Sequence, residues 1–267
     1  MRTMREAWTV SRNVRIVTWI CVILLTASPV LLQSGCGGRN GAGRDEELPG
    51  TEEVSPADEG RVEESTEASG QSVHVLHMCG RSVLAGWFEH WGWDYDPANP
   101  VRFSGHELIY HEMDTPPGIV DTAREVIREV SREGANALFF KLCFADFEGG
   151  DGDTARANLE RNKRTVRAVT DAALEENLVL ILGNALPMVR EYTDDWLTWN
   201  HREYNRFLQE LEASHPGRIV VLDLYGTLAS PGGWLRPEFA LDPYDSHLND
   251  AAYDALDPPL AQALEGL

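Results

Sequence analysis

Three short, almost entirely apolar segments recur along the chain, over residues 137–144, 178–182 and 219–224. Stretches with helical spacing of apolar side chains lie between them. A strand that is apolar on both sides has to be covered on both faces, as the strands of parallel sheets are. Strands that alternate with helices along the chain typically form a parallel sheet of this kind. The pattern therefore predicts an α/β domain with helices on both sides of a mostly parallel sheet.

Two further extended segments, residues 73–78 and 101–113, come before these three. Together they predict a five-stranded, mostly parallel sheet in a three-layer, flavodoxin-like sandwich with strand order 2-1-3-4-5. Ligands of such folds bind at the carboxyl ends of the strands, near the switch point between strands one and three. The loops expected at that edge are residues 80–93, 145–153, 183–199 and 225–247.

The N-terminal part of the chain has the composition of an export signal followed by a linker. Residues 1–36 combine an arginine-rich start with an apolar run, as signal peptides do. Residues 37–72 are rich in glycine, serine and acidic side chains, and they lack the large apolar ones that a core requires, so we expect a disordered acidic linker. The folded domain is then residues 73–267.

Cys36 closes the segment Leu32-Gln33-Ser34-Gly35-Cys36, which resembles the lipobox of bacterial lipoproteins. In a lipobox the cysteine becomes the lipidated first residue after cleavage. Gln33 departs from the pattern, which usually has leucine at that place. We expect an exported protein anchored to the cell envelope through Cys36; the alternatives are simple secretion and an uncleaved signal anchor.

The chain is strongly acidic, with a formal net charge of −20. Such a charge repels nucleic acid and anionic membrane surfaces. We therefore expect no nucleic-acid partner, and contact with a membrane only through the N-terminal lipid. No motif or cysteine spacing indicates a metal site or a cofactor.

Ser82 and His247 are the candidate nucleophile and base of a serine hydrolase. Ser82 follows a glycine turn after the first strand, and His247 lies just before the last helix. Both belong to loops at the carboxyl edge of the predicted sheet, where an imidazole could accept the hydroxyl proton. The alternatives are that Ser82 only caps a helix and that His247 is an ordinary surface residue.

A catalytic histidine needs a carboxylate that holds its ring in the right tautomer. Asp245 precedes His247 by two residues and Asp242 precedes it by five. We expect Asp245 to fill this role. The alternative for either aspartate is a turn, because Asp242-Pro243 is a turn signal.

Three short motifs resemble those of the SGNH/GDSL hydrolase superfamily. Gly80-Arg81-Ser82-Val83 stands at the place of the Gly-Asp-Ser-Leu block, residues 139–147 resemble the third-block strand, and residues 245–249 resemble the last block. The resemblance spans about residues 73–265. It implies the superfamily's fold and a serine esterase activity.

Two positions depart from the superfamily's motifs. The last block usually reads Asp-x-x-His, whereas Tyr244 lies three residues before His247. The third block usually supplies an asparagine to the oxyanion hole, and Ala145 stands at that place. The resemblance then implies that other groups donate to the oxyanion. The first candidate is the Ser82 N–H, the second is a glycine amide from Gly105 or Gly118, and the third is Asn184 as a substitute for the missing asparagine.

The cysteines and tryptophans of the domain suggest two further features. Cys79 and Cys143 end strands that are expected to be neighbours, so a disulfide is one hypothesis and two buried free thiols are the alternative. All six tryptophans after the signal fall in the carboxyl-edge loops, which suggests an aromatic wall for a sugar or acyl group; core packing is the alternative. The substrate-binding candidates are Trp87, Trp91 and Trp234.

Together these residues indicate a serine esterase that removes O-acyl, and preferably O-acetyl, groups from a carbohydrate or a similar substrate through an acyl-enzyme. Two alternatives stay open. One is an O-acetyltransferase of the same fold that acts on a surface glycan. The other is a catalytically weakened carbohydrate-binding module.

Overall fold

The computed structural model describes residues 75–96 and 99–267. The predicted signal, the predicted linker and Cys36 lie outside the described residues. Within the described ranges, none of the helices combines the length and apolar character needed to cross a bilayer.

The central sheet has six strands. In chain order they are β1 (Val75–Gly80), β2 (Val101–Phe103), β3 (His106–Glu112), β4 (Ala137–Lys141), β5 (Val179–Gly183) and β6 (Ile219–Leu222). They lie in the order β2-β3-β1-β4-β5-β6, and every neighbouring pair is parallel except β2 with β3. The predicted mostly parallel sheet is confirmed. Strands β3-β1-β4-β5-β6 correspond to the predicted strands 2-1-3-4-5, so the predicted strand order is confirmed as well.

The expected count of five strands is wrong, because the segment 101–113 forms a hairpin. Ser104 and Gly105 both have positive φ, at 49° and 82°, and turn the chain so that Phe103 pairs with His106. A two-residue turn with positive φ at both positions matches the twist of antiparallel strands. β2 therefore becomes a short antiparallel edge strand.

Within the part of the chain that the structure describes, six α-helices connect and cover the strands. They are α1 (Ser82–His90), α2 (Ile119–Glu133), α3 (Gly152–Glu175), α4 (Asp195–Ser214), α5 (Leu224–Leu228) and α6 (Asp250–Glu265). Buried residues of α1, α5 and α6 pack on one face of the sheet, and those of α2, α3 and α4 pack on the other. In β4, Phe139 faces the first group and Leu138 and Phe140 face the second. Because consecutive strand residues point to opposite faces, the apolar run of β4 fills both cores.

A second, two-stranded sheet lies between the last parallel strand and the last helix. It consists of β7 (Ala240–Asp242) and β8 (Asp245–Leu248), paired antiparallel. This small hairpin places the segment with His247 directly before α6. Asn249 then caps α6, its side chain accepting the N–H of Ala252 at 3.1 Å.

Cys79 and Cys143 are both buried free thiols, so the hypothesis of a disulfide is wrong. Cys79 lies in β1, whereas Cys143 lies two residues beyond the end of the neighbouring strand β4. Cys79 of β1 pairs with Phe140 of β4, and Cys143 lies three residues farther along the chain. The register therefore separates two cysteines that the strand order alone brings close.

Candidate active site

Ser82 is the first residue of α1 and is exposed at the carboxyl end of β1. Arg81 is the N-cap residue and has extended backbone angles, so the chain leaves the strand and enters the helix within one residue. The Ser82 hydroxyl is directed at an imidazole, since its Oγ lies 2.9 Å from His247 Nε2. The structure thus brings together two side chains that are 165 positions apart in the sequence.

Asp245 completes a hydrogen-bonded row of three side chains. Its Oδ1 lies 2.6 Å from His247 Nδ1 and also accepts the backbone N–H of His247 at 2.9 Å. A proton held on Nδ1 by this carboxylate leaves the Nε2 lone pair free for the Ser82 hydroxyl. Asp242 does not reach the row; its Oδ1 accepts the N–H of Tyr244 at 2.9 Å and closes the β7–β8 turn.

The carboxyl group of Asp245 is held in its charged form. Partial burial acts to raise its pKa, but the hydrogen bonds from the backbone and the ring of His247, together with the charge of the imidazolium, outweigh it. The net effect is a pKa below the usual range of aspartate. A charged Asp245 can stabilise the imidazolium that forms when His247 takes a proton.

Contacts on both sides of β8 fix the position of His247. Ser246 is buried, and its Oγ accepts the N–H of Val189 at 3.1 Å. Asn249 donates its Nδ2 to the carbonyls of Glu238 and Ala240 at 2.9 and 3.0 Å. The edge of the Phe144 ring packs against the imidazole, with ring centroids 5.2 Å apart. Three separate segments therefore hold His247 and its strand in place.

Arg81, the residue before Ser82, forms an ion pair that was not predicted from the sequence. The Arg81 guanidinium contacts the carboxylate of Asp146, whose side chain is 2% exposed. Asp146 Oδ2 also accepts the N–H of Cys143 at 2.8 Å, which closes the short 3-10 helix over residues 144–146. Arg81 thereby ties the Ser82 turn to the loop after β4.

Three buried asparagines hold the same loop from the helix side. Asn158 and Asn162 of α3 both donate to the carbonyl oxygen of Asp146 at 2.9 Å. Asn200 of α4 donates to the carbonyl of Glu148 at 3.0 Å and to Asn158 Oδ1 at 2.8 Å. The sequence signal for this network was that the asparagines recur at helical spacing with the apolar residues that form the buried faces of α3 and α4.

Two glycines named as oxyanion donors are not placed for that role. Gly105 lies in the β2–β3 turn, before the amino end of β3, whereas Ser82 follows the carboxyl end of β1. The length of the strand separates them by about 20 Å. Gly118 does follow the carboxyl end of β3, but its N–H donates to the carbonyl of Thr115 at 2.9 Å. Neither amide is available beside Ser82.

Asn184 is buried and has a role in holding the next loop. Its Nδ2 donates to Asp223 Oδ1 at 2.7 Å, and its Oδ1 accepts the N–H of Tyr225 at 2.8 Å. It follows β5, which is separated from β1 by β4. The side chain therefore joins the ends of β5 and β6, and it is not directed at the nucleophile.

The tryptophans do not form one wall, because α1 carries the first three away from the carboxyl edge. Trp87 is 1% exposed within α1, and Trp91 follows its last residue. Both indoles donate to Asp257 Oδ1, at 2.8 and 3.0 Å. Trp91 also packs on Phe103, with ring centroids 5.0 Å apart. Trp87 and Trp91 are therefore core and far-edge residues, and the core alternative holds for them.

Trp234 remains near the predicted edge. The next residue, Leu235, donates its N–H to the Met188 carbonyl at 2.7 Å, and Val189 in turn contacts Ser246 of β8. The guanidinium of Arg190 lies 4.9 Å from the centre of the half-buried indole. Through Met188 and Val189, the segment of Trp234 is connected to β8, the strand that carries His247.

The residues in the described ranges that could hold a metal ion are His90, Asp254 and Asp257, whose ligand atoms lie within 4.8 Å of one another. They lie at the end of α1 and on α6, and the side chain of Asp254 is 72% exposed. The group is separate from Ser82.

Solved structures provide the comparison for this fold. A GDSL-like lipase from Bacteroides thetaiotaomicron is 18% identical, with a TM-score of 0.54 over 72% of this chain and 88% of that one. A predicted acylhydrolase from Bacteroides fragilis is 17% identical, with a TM-score of 0.50 over 72% of this chain and 86% of that one. No protein-family model and no curated protein matches the sequence. The described domain has the SGNH/GDSL hydrolase fold.

Proposed function

We propose that the protein is a serine esterase. The observation that carries this proposal is the row from Ser82 through His247 to Asp245, with contacts of 2.9 and 2.6 Å at a strand-end turn. A serine needs an adjacent base, and the base needs an orienting group, for the hydroxyl to become a nucleophile. The fold shared with a lipase and an acylhydrolase supports the same reaction class.

The reaction would proceed in two steps. Ser82 Oγ forms a bond to the ester carbonyl carbon while its proton passes to His247 Nε2. The tetrahedral intermediate then breaks the ester C–O bond, and the departing alcohol takes the proton from His247. Water repeats the sequence on the acyl-enzyme: His247 takes a proton from the water, which attacks the carbonyl, and then returns it to Ser82 as the acid leaves.

The exposure of the site bears on the kind of substrate. Ser82 is exposed, and the side chains of His247 and Asp245 are 38% and 40% exposed. A bulky alcohol can therefore approach the serine from solvent without passing through a channel. On this ground, and because the segment of Trp234 is connected to β8, we propose an O-acyl, preferably O-acetyl, ester of a carbohydrate or a similar alcohol.

An O-acetyltransferase would use the same three residues, with an acceptor hydroxyl in place of water. The two functions are distinguished by the fate of the acyl-enzyme. A rate that rises with added glycan acceptor, above the rate of hydrolysis, would support the transferase. A weakened binding module is favoured less, because it would not need Ser82, His247 and Asp245 in hydrogen-bonding contact.

The first experiment is labelling of the full-length protein with a fluorophosphonate, followed by mapping of the modified peptide. We expect modification at Ser82, and we expect His247→Ala to abolish it. His106→Ala is the matched control, because His106 is the first residue of β3, at the end of the sheet opposite to Ser82. A folded protein that is not modified at Ser82 would contradict the esterase and return attention to the binding module.

We also propose that the protein is exported and anchored to the cell envelope through Cys36. The proposal rests on the signal-like composition of residues 1–36 and on the lipobox resemblance. Metabolic labelling with a fatty acid tests it, with Cys36→Ala as the comparison. Label that is retained by Cys36→Ala, or absent from both proteins, would contradict the anchor.

A further inference from the structure

The esterase proposed above lacks most of the expected stabilisation for its oxyanion. The tetrahedral intermediate places a negative charge on the oxygen beside Ser82, and preorganised positive groups stabilise that charge. Ala145 has no side-chain amide, Gly105 is distant, and the groups of Gly118 and Asn184 are committed elsewhere. The amide N–H of Ser82 is the one expected donor that remains in place.

A buried lysine lies at the carboxyl end of the strand next to β1. Lys141 is the last residue of β4, the strand next to β1, and it is 3% exposed. Its Nζ donates to the carbonyl of Leu142 at 3.3 Å, and the described part of the chain gives it no carboxylate in direct contact. An ammonium group is costly to bury without a paired charge. Such a placement calls for an explanation.

The charges around Lys141 leave an excess of one positive charge. Asp146 is the carboxylate that interacts with Lys141 electrostatically, and it already contacts the guanidinium of Arg81. Two cations therefore share one buried anion, and one of the two belongs to the residue adjoining Ser82. At neutral pH this cluster carries a net positive charge, and it includes the residue next to Ser82.

The other titratable groups that face the cluster do not cancel that charge. The thiol of Cys143 is buried in the same loop. Cys79 of β1 and Tyr110 of β3 have pKa values raised by burial, so both are neutral at pH 7. Glu112, at the end of β3, is exposed, and solvent screens its charge.

We propose that Lys141, acting with Arg81, supplies the positive potential that stabilises the oxyanion of the tetrahedral intermediate formed at Ser82, in place of the missing asparagine amide. The inference rests on the esterase function proposed above. In this proposal the buried Lys141 does not touch the substrate and acts on it through its charge. In a low-dielectric interior such a charge acts over a longer distance than in water.

The titration of Lys141 provides a readout that packing alone would not produce. Burial lowers its pKa to about 8; Arg81 also lowers it, while Cys143 and Asp146 act in the opposite direction. The ammonium is therefore present below about pH 8 and is lost above it. We expect kcat to decline as the pH rises through this range.

The test compares the full-length wild type with Lys141→Met and Lys141→Arg, using p-nitrophenyl acetate between pH 6 and pH 10. Methionine keeps the unbranched chain and removes the charge, so kcat at pH 7 should fall about tenfold, less than the loss of a direct donor. The remaining activity should show no decline near pH 8. Arginine stays charged at every pH used, so Lys141→Arg should retain most of kcat and move the decline to higher pH.

Fluorophosphonate labelling of the same three proteins separates the two proposals. If wild type is neither labelled at Ser82 nor active on the ester, both proposals fail. If it is labelled and active, but Lys141→Met keeps the wild-type kcat and pH profile, the inference alone is overturned. Should Lys141→Met not fold, the other proteins decide: no decline in wild type near pH 8, or an unmoved decline in Lys141→Arg, overturns it.

Discussion

His247 makes two hydrogen bonds to Asp245 Oδ1 across a spacing of only two residues, one from its backbone N–H at 2.9 Å and one from its ring Nδ1 at 2.6 Å. Both residues belong to β8, in which side chains two apart point to the same side. The strand therefore allows an aspartate only two residues away to hydrogen-bond the imidazole ring. The aspartate and the histidine form a local hydrogen-bonded unit.

Asp245→Asn should lower kcat for ester hydrolysis by about 10³–10⁴-fold, because an amide favours the wrong tautomer of the imidazole. Steady-state kinetics of the purified variant provide the measurement. Asp242→Asn is the matched control and should leave kcat unchanged, since Asp242 only closes the turn before β8. Equal losses in the two variants would show that the loop matters and that Asp245 has no specific role.

Arg81→Met should destabilise the fold by about 3 kcal/mol, because it leaves the Asp146 carboxylate buried without its partner. Urea unfolding measures the change. Adding Asp146→Asn to this variant should recover part of the loss. Arg102→Met is the control, since Arg102 pairs with Glu107 but is 79% exposed and should cost less than about 1 kcal/mol. An Arg81→Met variant as stable as this control would contradict the role of the pair.

Asn184→Ala should lower stability by about 1–3 kcal/mol, because Asp223 Oδ1 and the N–H of Tyr225 each lose a hydrogen bond. The kcat of the folded variant should stay close to that of wild type. Unfolding curves and kinetics on the same preparation separate the two effects. A hundredfold loss of kcat with unchanged stability would instead make Asn184 an oxyanion donor.

His201→Phe should make the protein more resistant to acid. Burial lowers the pKa of His201 to about 3, and neither ring nitrogen has a partner in the described ranges. The unfolded chain binds a proton at this histidine below about pH 6.5 and the native protein does not, so wild-type stability falls as the pH drops from 6.5 towards 3. The slope from this group approaches about 1.4 kcal/mol per pH unit.

Unfolding in urea at pH 7, 5.5 and 4 tests this expectation. Phenylalanine can keep the edge contacts of the ring with Phe147 and Tyr225. The stability difference between His201→Phe and wild type should therefore shift in favour of the variant as the pH falls. A difference that is the same at all three pH values would mean that His201 titrates equally in both states.

The arrangement of the sheet and the meeting of Ser82 with His247 were accessible from sequence for one physical reason. Strands buried on both faces have continuous apolar runs, and the loops after them must gather at one edge of a parallel sheet. Ser82 and His247 lie in such loops. The extra strand was not accessible, because Ser104-Gly105 marks a break in the chain without showing whether the chain reverses there.

The misplaced tryptophans and donors have a different cause. α1 starts at Ser82 itself, and its nine residues span about 13 Å, so Trp87 and Trp91 leave the edge at which Ser82 lies. The commitments of Asn184 and of the Gly118 amide depend on single tertiary or turn contacts that no periodicity encodes. The sequence contained only a weak indication of the Arg81–Asp146 ion pair: a base and an acid that each follow an apolar strand segment.

Ser82 follows the first strand of the domain and His247 precedes its last helix, so the two halves of the reactive pair are made at opposite ends of synthesis. If the protein is the esterase proposed above, a growing chain carries Ser82 long before it carries His247, which lies 165 positions later. A chain that stops before His247 would have the serine without its base. Esterase activity would then require that the whole domain has been made.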